Sequence, residues 1–445
     1  MARDFPTSKQ DIRDRIFEAG VVGAGGAGFP THIKAAADAD IVIANACECE
    51  PLLGTDRYVL TSRLDEMVDG LLLMMLATGA GRGLVALREG QAGILSKVAD
   101  GVKGAKGVEV ITVADTYPAG DEHILVFEAT GRVIPEGGIP PDVGVVVSNA
   151  NTLVNVKRAV DGEPVTHRVI SVCGQVANPC VAEVPVGTMV EDALRLTGNS
   201  VDLSRQAMLL SGIMMGQYCE DPATPVDKRM ASITVLPRDS EIMVRKSLPV
   251  DVMVRRAASV CCQCTQCTEL CPRHLMGHDI SPHKIMRAVS WGRGFVPDLA
   301  GALFCSGCGL CGVYVCPMLL SPDRISFMVR AEMAERGVTQ ENKPAGEVLP
   351  VRAGRLVPHA RIVERTGLAP YEQELAVAGK VEPDKVKIPL VQHVGSPAVP
   401  VVKTGDKVRR GQLIGDMDRN TVGARVHSSV DGKVSEIGDV VVVEK

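Results

Sequence analysis

Aromatic side chains are scarce in this chain: one tryptophan, five tyrosines and seven phenylalanines, 3 % of 445 residues. Proteins that bind single-stranded nucleic acid stack bases on such rings, so that class is excluded. An excess of one charge is missing too. The 48 Lys and Arg face 53 Asp and Glu, a net charge of −5 with the signs mixed, which leaves no basic footprint for duplex DNA or RNA. Long apolar runs are also lacking. The longest, Leu71 to Ala77, is far short of the ~20 residues that cross a bilayer, and the charged N-terminus is unlike a signal peptide. We therefore expect no nucleic-acid partner, no direct membrane insertion and a cytoplasmic location. Apolar residues nevertheless make up 46 % of the chain, enough for the cores of about three or four domains.

Cysteine is the residue in surplus, with 14 in all and nine between Val260 and Leu319. Eight of those nine fall into two runs, Cys261-x2-Cys264-x2-Cys267-x3-Cys271-Pro272 and Cys305-x2-Cys308-x2-Cys311-x4-Cys316-Pro317. A Cys-x2-Cys-x2-Cys loop wraps three thiolates around one cubane, and its distant fourth cysteine, followed by proline, serves the other cluster. The spacing predicts two [4Fe-4S] clusters, one on Cys261, Cys264, Cys267 and Cys316, the other on Cys305, Cys308, Cys311 and Cys271. Structural zinc takes two separated cysteine pairs, not close triplets. Cys262 is left over and reads as a small packed residue. Disulfides are not expected, because cluster spacing points to a reducing compartment.

Near the N-terminus a short helix, Lys9 to Ala19, runs into a loop with Gly20, Gly23, Gly25, Gly26 and Gly28, followed by Lys34. Bare backbone, a helix start and a lysine together suit a phosphate. Asp40 to Ala44 then reads as a buried strand that delivers Asn45-Ala46-Cys47-Glu48-Cys49-Glu50-Pro51 at its C-terminal end, where ligands of open α/β sheets bind. Cys47 and Cys49 are too few to complete a metal site and read as pocket lining.

This glycine loop with Asn45-x-x-Glu48-x-Glu50-Pro51 resembles the flavin-binding subunit of respiratory complex I and RnfC-like subunits of electron-transport complexes. The likeness extends to Asp56-Arg57, to Tyr117-Pro118-x-Gly120-x-Glu122 and to Asn149. It implies FMN, with Gly23, Gly25, Gly26, Gly28 and Lys34 at the phosphate and ribityl chain. By the same likeness, Asn45, Glu48 and Glu50 lie near the isoalloxazine and nicotinamide, with Glu48 and Glu50 as the catalytic pair, while Tyr117, Gly120, Glu122 and Asn149 close the pocket. NADH is implied as electron donor. Ala24 and Cys47 depart from complex I, which has an arginine and an acid there, and only Phe29 remains of the aromatics that clasp the adenine. The resemblance therefore carries FMN further than NADH.

From His167 the pattern changes to short strands (167–176, 182–186), a helix (188–197), the segment Ser211 to Gly216 and a strand 232–236. This resembles the soluble-ligand-binding β-grasp (SLBB) segment of the same family; Met214 and Met215 read there as core filler. The last stretch, with Gly405-Asp406, Gly411 and Asp431-Gly432 turns, predicts a barrel-sandwich or β-hammerhead fold. No lysine flanked as in lipoyl or biotinyl carriers stands at a hairpin tip, which favours docking over a swinging arm.

The expected architecture is multidomain α/β and β. It comprises an FMN (and NADH) binding α/β domain (1–160), an SLBB β-grasp (161–245), a ferredoxin-like 2[4Fe-4S] domain (246–330), a helical connector (331–380) and a barrel-sandwich hybrid domain (381–445). With that block last, the order resembles the PduS-type cobalamin reductases of propanediol-utilisation microcompartments. The implied activity is an NADH-dependent flavoprotein iron-sulfur reductase whose one-electron acceptor is a corrinoid, working with a redox partner protein or corrinoid enzyme in a larger complex or microcompartment. Two alternatives fit the same residues: an electron-relay subunit of an Rnf-like complex peripheral to a membrane, or a docking and scaffold module.

Overall fold

The Ser8 hydroxyl accepts from the Asp11 N–H and opens helix α1 (Lys9–Glu18), which turns Ile12, Ile16 and Phe17 inward. The structure, a computed structural model, describes residues 8–292, 297–339, 342–379 and 381–445. After the glycine loop come α2 (Thr31–Ala36), β1 (Ile41–Asn45), α3 (Thr55–Ser62), α4 (Leu64–Thr78), β2 (Arg82–Arg88), α5 (Ala92–Gly101) and β3 (Val108–Val113). They are followed by β4 (Thr116–Tyr117), α6 (Glu122–Thr130), β5 (Val145–Asn149) and α7 (Ala150–Val160). β1, β2, β3 and β5 form a parallel sheet in the order β3-β2-β1-β5.

Both faces of that sheet are covered, as parallel strands require. Val42, Ala44, Val85, Leu87 and Val146 pack on α1, α4 and α7, while Ile43, Leu84, Ala86 and Val147 pack on Leu125 and Val126 of α6. α4 and α7 approach closely because Gly70 has no side chain; a Cβ there would run into the Leu153 carbonyl. The strand order winds outward from β1 through β2 to β3, then returns to β5 on the other side of β1. The switch point thus lies between the ends of β1 and β5, where Asn45 pairs with Asn149.

The next unit holds β6 (His167–Gly174), β7 (Cys180–Pro185), α8 (Val190–Leu196), β8 (Gln206–Leu210), β9 (Gln217–Cys219) and β10 (Ser232–Pro237). β6 and β10 run parallel at its centre with antiparallel strands outside, the β-grasp arrangement expected from sequence. Helices 250–260, 282–290 and 322–335 then pack around Met253, Ile285, Met286, Ile325 and Val329 to frame the cysteine loops.

The segment expected to be a connector is woven into the earlier units. β11 (Val357–Pro358) pairs with β4, and β12 (Ala376–Val377) extends the β-grasp sheet beside β7. Ile362 and Val363 enter the same apolar cluster as Tyr117 and Met214. Two-residue strands have no readable alternation, which hid this stitching from sequence. The C-terminal unit has two antiparallel sheets around Val386, Ile388, Ile414, Val434, Val441 and Val443, the short-strand design expected. Among the described residues no helix is long and apolar enough to cross a membrane.

Candidate functional site

The glycine loop is pinned at its flanks and bare at its tip. Gly23 N–H donates to the Phe29 carbonyl, Ala24 N–H donates to Thr152 Oγ1 at 2.8 Å, and the buried Arg168 guanidinium donates to the Ala24 carbonyl at 2.6 Å. Gly25, Gly26 and Ala27 are exposed. Gly26 has φ +107° with open space beyond its α carbon, so glycine is demanded by backbone conformation rather than by a neighbour. Gly25 lies over Asn149 at the switch point. Gly28 faces Arg229. Lys34 Nζ reaches Glu122 Oε1 at 2.6 Å and the Val147 carbonyl at 3.0 Å, which brings two of the sequence-predicted residues into one ion pair.

At the end of β1, Asn45 Nδ2 donates to the Gly120 carbonyl, and its Oδ1 accepts from Cys47 N–H. Glu48 caps α3, with one carboxylate oxygen accepting from Asp56 N–H at 3.0 Å and the other from Arg57 N–H at 2.8 Å. Its backbone is left-handed, φ 39°. Burial first, and then the charge of Asp56, raise the Glu48 carboxyl above its ordinary range. Asn149 caps α7 and donates to Asp56 Oδ1 at 3.0 Å. Asn45, Glu48, Gly120, Lys34, Glu122 and Asn149 are therefore gathered around the same end of the sheet.

Glu50 is placed differently from the sequence expectation. Instead of standing free for a nicotinamide, its carboxylate accepts from the backbone N–H groups of Ile213, Met214 and Met215 at 2.8 to 2.9 Å. These donors belong to the β-grasp loop between β8 and β9, which turns at Gly212 (φ +107°) directly against the Glu50 side chain. Successive N–H groups make an anion-binding nest, and here the anion comes from the chain itself. Met214 is fully buried and Met215 is 52 % exposed, so the pair does not pack as one unit.

The two cysteine loops share a backbone conformation. Gln263 and Gly307, two residues after the first cysteine of each run, have φ 52° and 70°, and Thr265 and Gly309, two further on, have φ 64° and 73°. Left-handed backbone is costly for Gln263 and Thr265, and its repetition in a non-glycine loop marks a shape required by something enclosed. Cys261, Cys264, Cys267 and Cys316 line one pocket. Cys271 falls with the other set: burial, then Cys271 itself, raises the Cys308 thiol. Burial pushes Cys267 and Cys305 up to about 12. Thiolates at such positions need the positive charge of a metal to form. No three donors converge on a point that would chelate a single ion among the described residues. Four-iron clusters take one thiolate per iron, and the two sets of four cysteines supply one for each iron of two clusters.

The longer spacer Cys311-x4-Cys316 is absorbed by a π-type turn over Leu310–Val315, closed by Cys316 N–H on the Cys311 carbonyl at 3.1 Å. Cys262 is exposed, not packed as expected.

Several residues went unnoticed in sequence. The buried Arg88 ends β2 and donates to the Cys47 and Glu48 carbonyls, fixing the loop that carries Glu48. Asp121 caps α6 and binds Arg273 at 3.0 Å, two residues after Cys271. Tyr117 was expected at the flavin pocket, but its contact with the cysteine loop was not: Tyr117 Oη donates to the Cys308 carbonyl at 2.6 Å. The only signal for Arg88 was a charged residue closing an apolar strand; Asp121 and Arg273 gave none.

Three domain families match the chain: the Nuo51 FMN-binding domain at residues 16–158, the 4Fe-4S dicluster domain at 260–321 and the RnfC barrel sandwich hybrid domain at 370–445. The cobalamin reductase PduS of Salmonella typhimurium is 38 % identical over 98 % of this chain and 96 % of its own. The chain belongs to the PduS family of cobalamin reductases. Citrobacter freundii PduS is likewise 38 % identical, over 96 % of this chain and 95 % of its own. A component of the Na+-translocating ferredoxin:NAD+ oxidoreductase complex of Acetobacterium woodii is 29 % identical over 61 % of this chain and 60 % of its own. An NAD+-reducing [NiFe]-hydrogenase in its air-oxidised state, 24 % identical, shares the fold over 83 % of this chain and 69 % of its own, with a TM-score of 0.51. As a PduS-family member the chain is a flavin and iron-sulfur electron-transfer oxidoreductase that takes FMN and two [4Fe-4S] clusters.

Proposed function

We propose that this protein takes electrons from NADH and delivers them singly to a corrinoid, serving a cobalamin-dependent enzyme within a microcompartment or similar assembly. FMN accepts a hydride as two electrons and releases them one at a time, and a [4Fe-4S] cluster carries one. The protein's own task is positioning. Gly25 and Gly26, at the bare tip of the loop that Gly23 and Gly28 anchor at its flanks, offer backbone to the FMN phosphate, and Lys34 supplies the counter-charge. Asn45, Glu48, Tyr117, Gly120, Glu122 and Asn149 frame the flavin, with Arg88 holding the Glu48 backbone. Cys261, Cys264, Cys267 and Cys316 hold one cluster and Cys271, Cys305, Cys308 and Cys311 the other. No acid-base triad is needed.

The observation that carries this reading is the Tyr117 to Cys308 hydrogen bond, because it joins the end of the α/β sheet to a cysteine loop inside one body. Anaerobically purified protein should hold one noncovalent FMN with about eight irons and eight sulfides. It should reduce hydroxocobalamin with NADH. Four irons would remove one cluster. Loaded protein that reduces an artificial one-electron dye but not the corrinoid would replace the acceptor, while inertness to NADH would favour a relay role in a larger complex.

A further inference from the structure

The two cysteine sets stand in different surroundings. Three independent contacts tie the set of Cys271, Cys305, Cys308 and Cys311 to the crevice end of the sheet. Tyr117 Oη donates to the Cys308 carbonyl, and Tyr117 itself is 2 % exposed. Arg273, beside Cys271-Pro272, binds Asp121, whose neighbour Gly120 accepts from Asn45. Gly309, between Cys308 and Cys311, lies so close to the Met214 carbonyl that a Cβ would collide with it, and Met214 is one of the Glu50 donors. Lys246 reinforces this loop by donating to the Met214 and Gly216 carbonyls. A single apolar cluster containing Tyr117, Ile213, Met214, Leu310 and Val313 fills the space between.

The other set stands apart from these contacts. Its cavity is lined only by residues 261–322, with no contribution from the α/β or β-grasp units. Cys264 is exposed, as is the neighbouring Cys262. All four cysteines of the first set and three of the second are partly exposed, so what separates the sets is the exposed Cys264 and the absence of the α/β and β-grasp units from the second set's pocket.

Resting on the cluster assignment proposed above, we infer that the cysteines are ordered as an inner and an outer set. Cys271, Cys305, Cys308 and Cys311 receive electrons from the crevice. Cys261, Cys264, Cys267 and Cys316 form the exit, where a one-electron acceptor meets the protein. The balance is two electrons in from each hydride donor and one out to each of two acceptor equivalents. Reversal of the two sets would put the exit under the β-grasp loop, where Tyr117 and Met214 leave no room for an acceptor.

The test uses the full-length, cluster-loaded protein without turnover. Brief treatment with an iron chelator, then alkylation and peptide mapping, should label Cys261, Cys264, Cys267 and Cys316 before Cys271, Cys305, Cys308 and Cys311. Cys262 reports baseline labelling without chelator. Simultaneous labelling or the reverse order overturns the inference. In a second measurement, a soluble dysprosium complex should broaden one of the two cluster signals in the electron paramagnetic resonance spectrum of dithionite-reduced protein. Cys264→Ser should abolish the broadened signal; if the unbroadened one disappears, the order is wrong. Protein that holds only four irons before treatment fails the cluster assignment itself, a separate outcome.

Discussion

The carboxylate of Glu50 accepts the backbone N–H of Met214 at 2.8 Å, so an acid from the end of β1 closes a nest on the β-grasp unit. Burial raises the Glu50 carboxyl above its ordinary range, and the three N–H donors oppose that shift. The anion is what the nest can satisfy, since a protonated acid or an amide must turn a donor toward N–H groups that are themselves donors.

Glu50→Gln is thus expected to lower stability by about 1–3 kcal/mol, the cost of leaving a buried donor unpaired. The loss should appear as a lower thermal midpoint of the flavin-loaded protein. Rate measurements add a second readout. With Glu50 engaged between domains, dithionite and NADH should be affected alike in their reduction of the bound flavin, because the fault is in docking. A defect confined to NADH, with an unchanged midpoint, would return Glu50 to the nicotinamide site.

Gly26→Val should abolish FMN binding while leaving the iron content intact. At φ +107° a β-branched residue is strained by backbone geometry alone, and the loop tip must shift to relieve it. Gly25 and Ala27 would move with it, away from Asn149. The measurement is flavin absorbance against iron per chain after anaerobic purification. Stoichiometric flavin in this variant would take the loop tip out of the binding site.

Much of this site was legible because its determinants are local. The glycine loop, the strand Ile41–Asn45 and the doubled cysteine runs each declare themselves within a dozen residues, and the structure places them at the switch point and in two matching loops. What escaped notice depends on contacts across the chain. Glu50 meets Met214 across 164 positions and Tyr117 meets Cys308 across 191. A motif shows that Glu50 is an acid beside a flavin-type loop, but not that a second unit occupies both of its oxygens. The same limit hid β11 and β12, whose two-residue pairings acquire meaning only from the edges they join.

Lys228 gives a pH prediction from a different junction. It is 3 % exposed, and its ammonium donates to the Gly20 carbonyl at 2.8 Å and the Arg425 carbonyl at 2.9 Å, binding the N-terminal, β-grasp and C-terminal units together. Its backbone N–H also donates to Gln392. Both partners of the ammonium are neutral carbonyls, with no carboxylate charge to offset its burial. Burial accordingly lowers its pKa from 10.5 to about 7. Between those values the unfolded chain holds more protons than the folded one, so Lys228 makes stability rise with pH through the window from about 7 to about 10.5. Within that window the slope contributed is at most about 1.4 kcal/mol per pH unit. Thermal midpoints at pH 7, 8 and 9 should therefore climb more steeply in the wild type than in Lys228→Met, which keeps the apolar stem but has no proton to lose. Parallel curves would mean that Lys228 stays charged at this junction, held by the two carbonyls despite its burial.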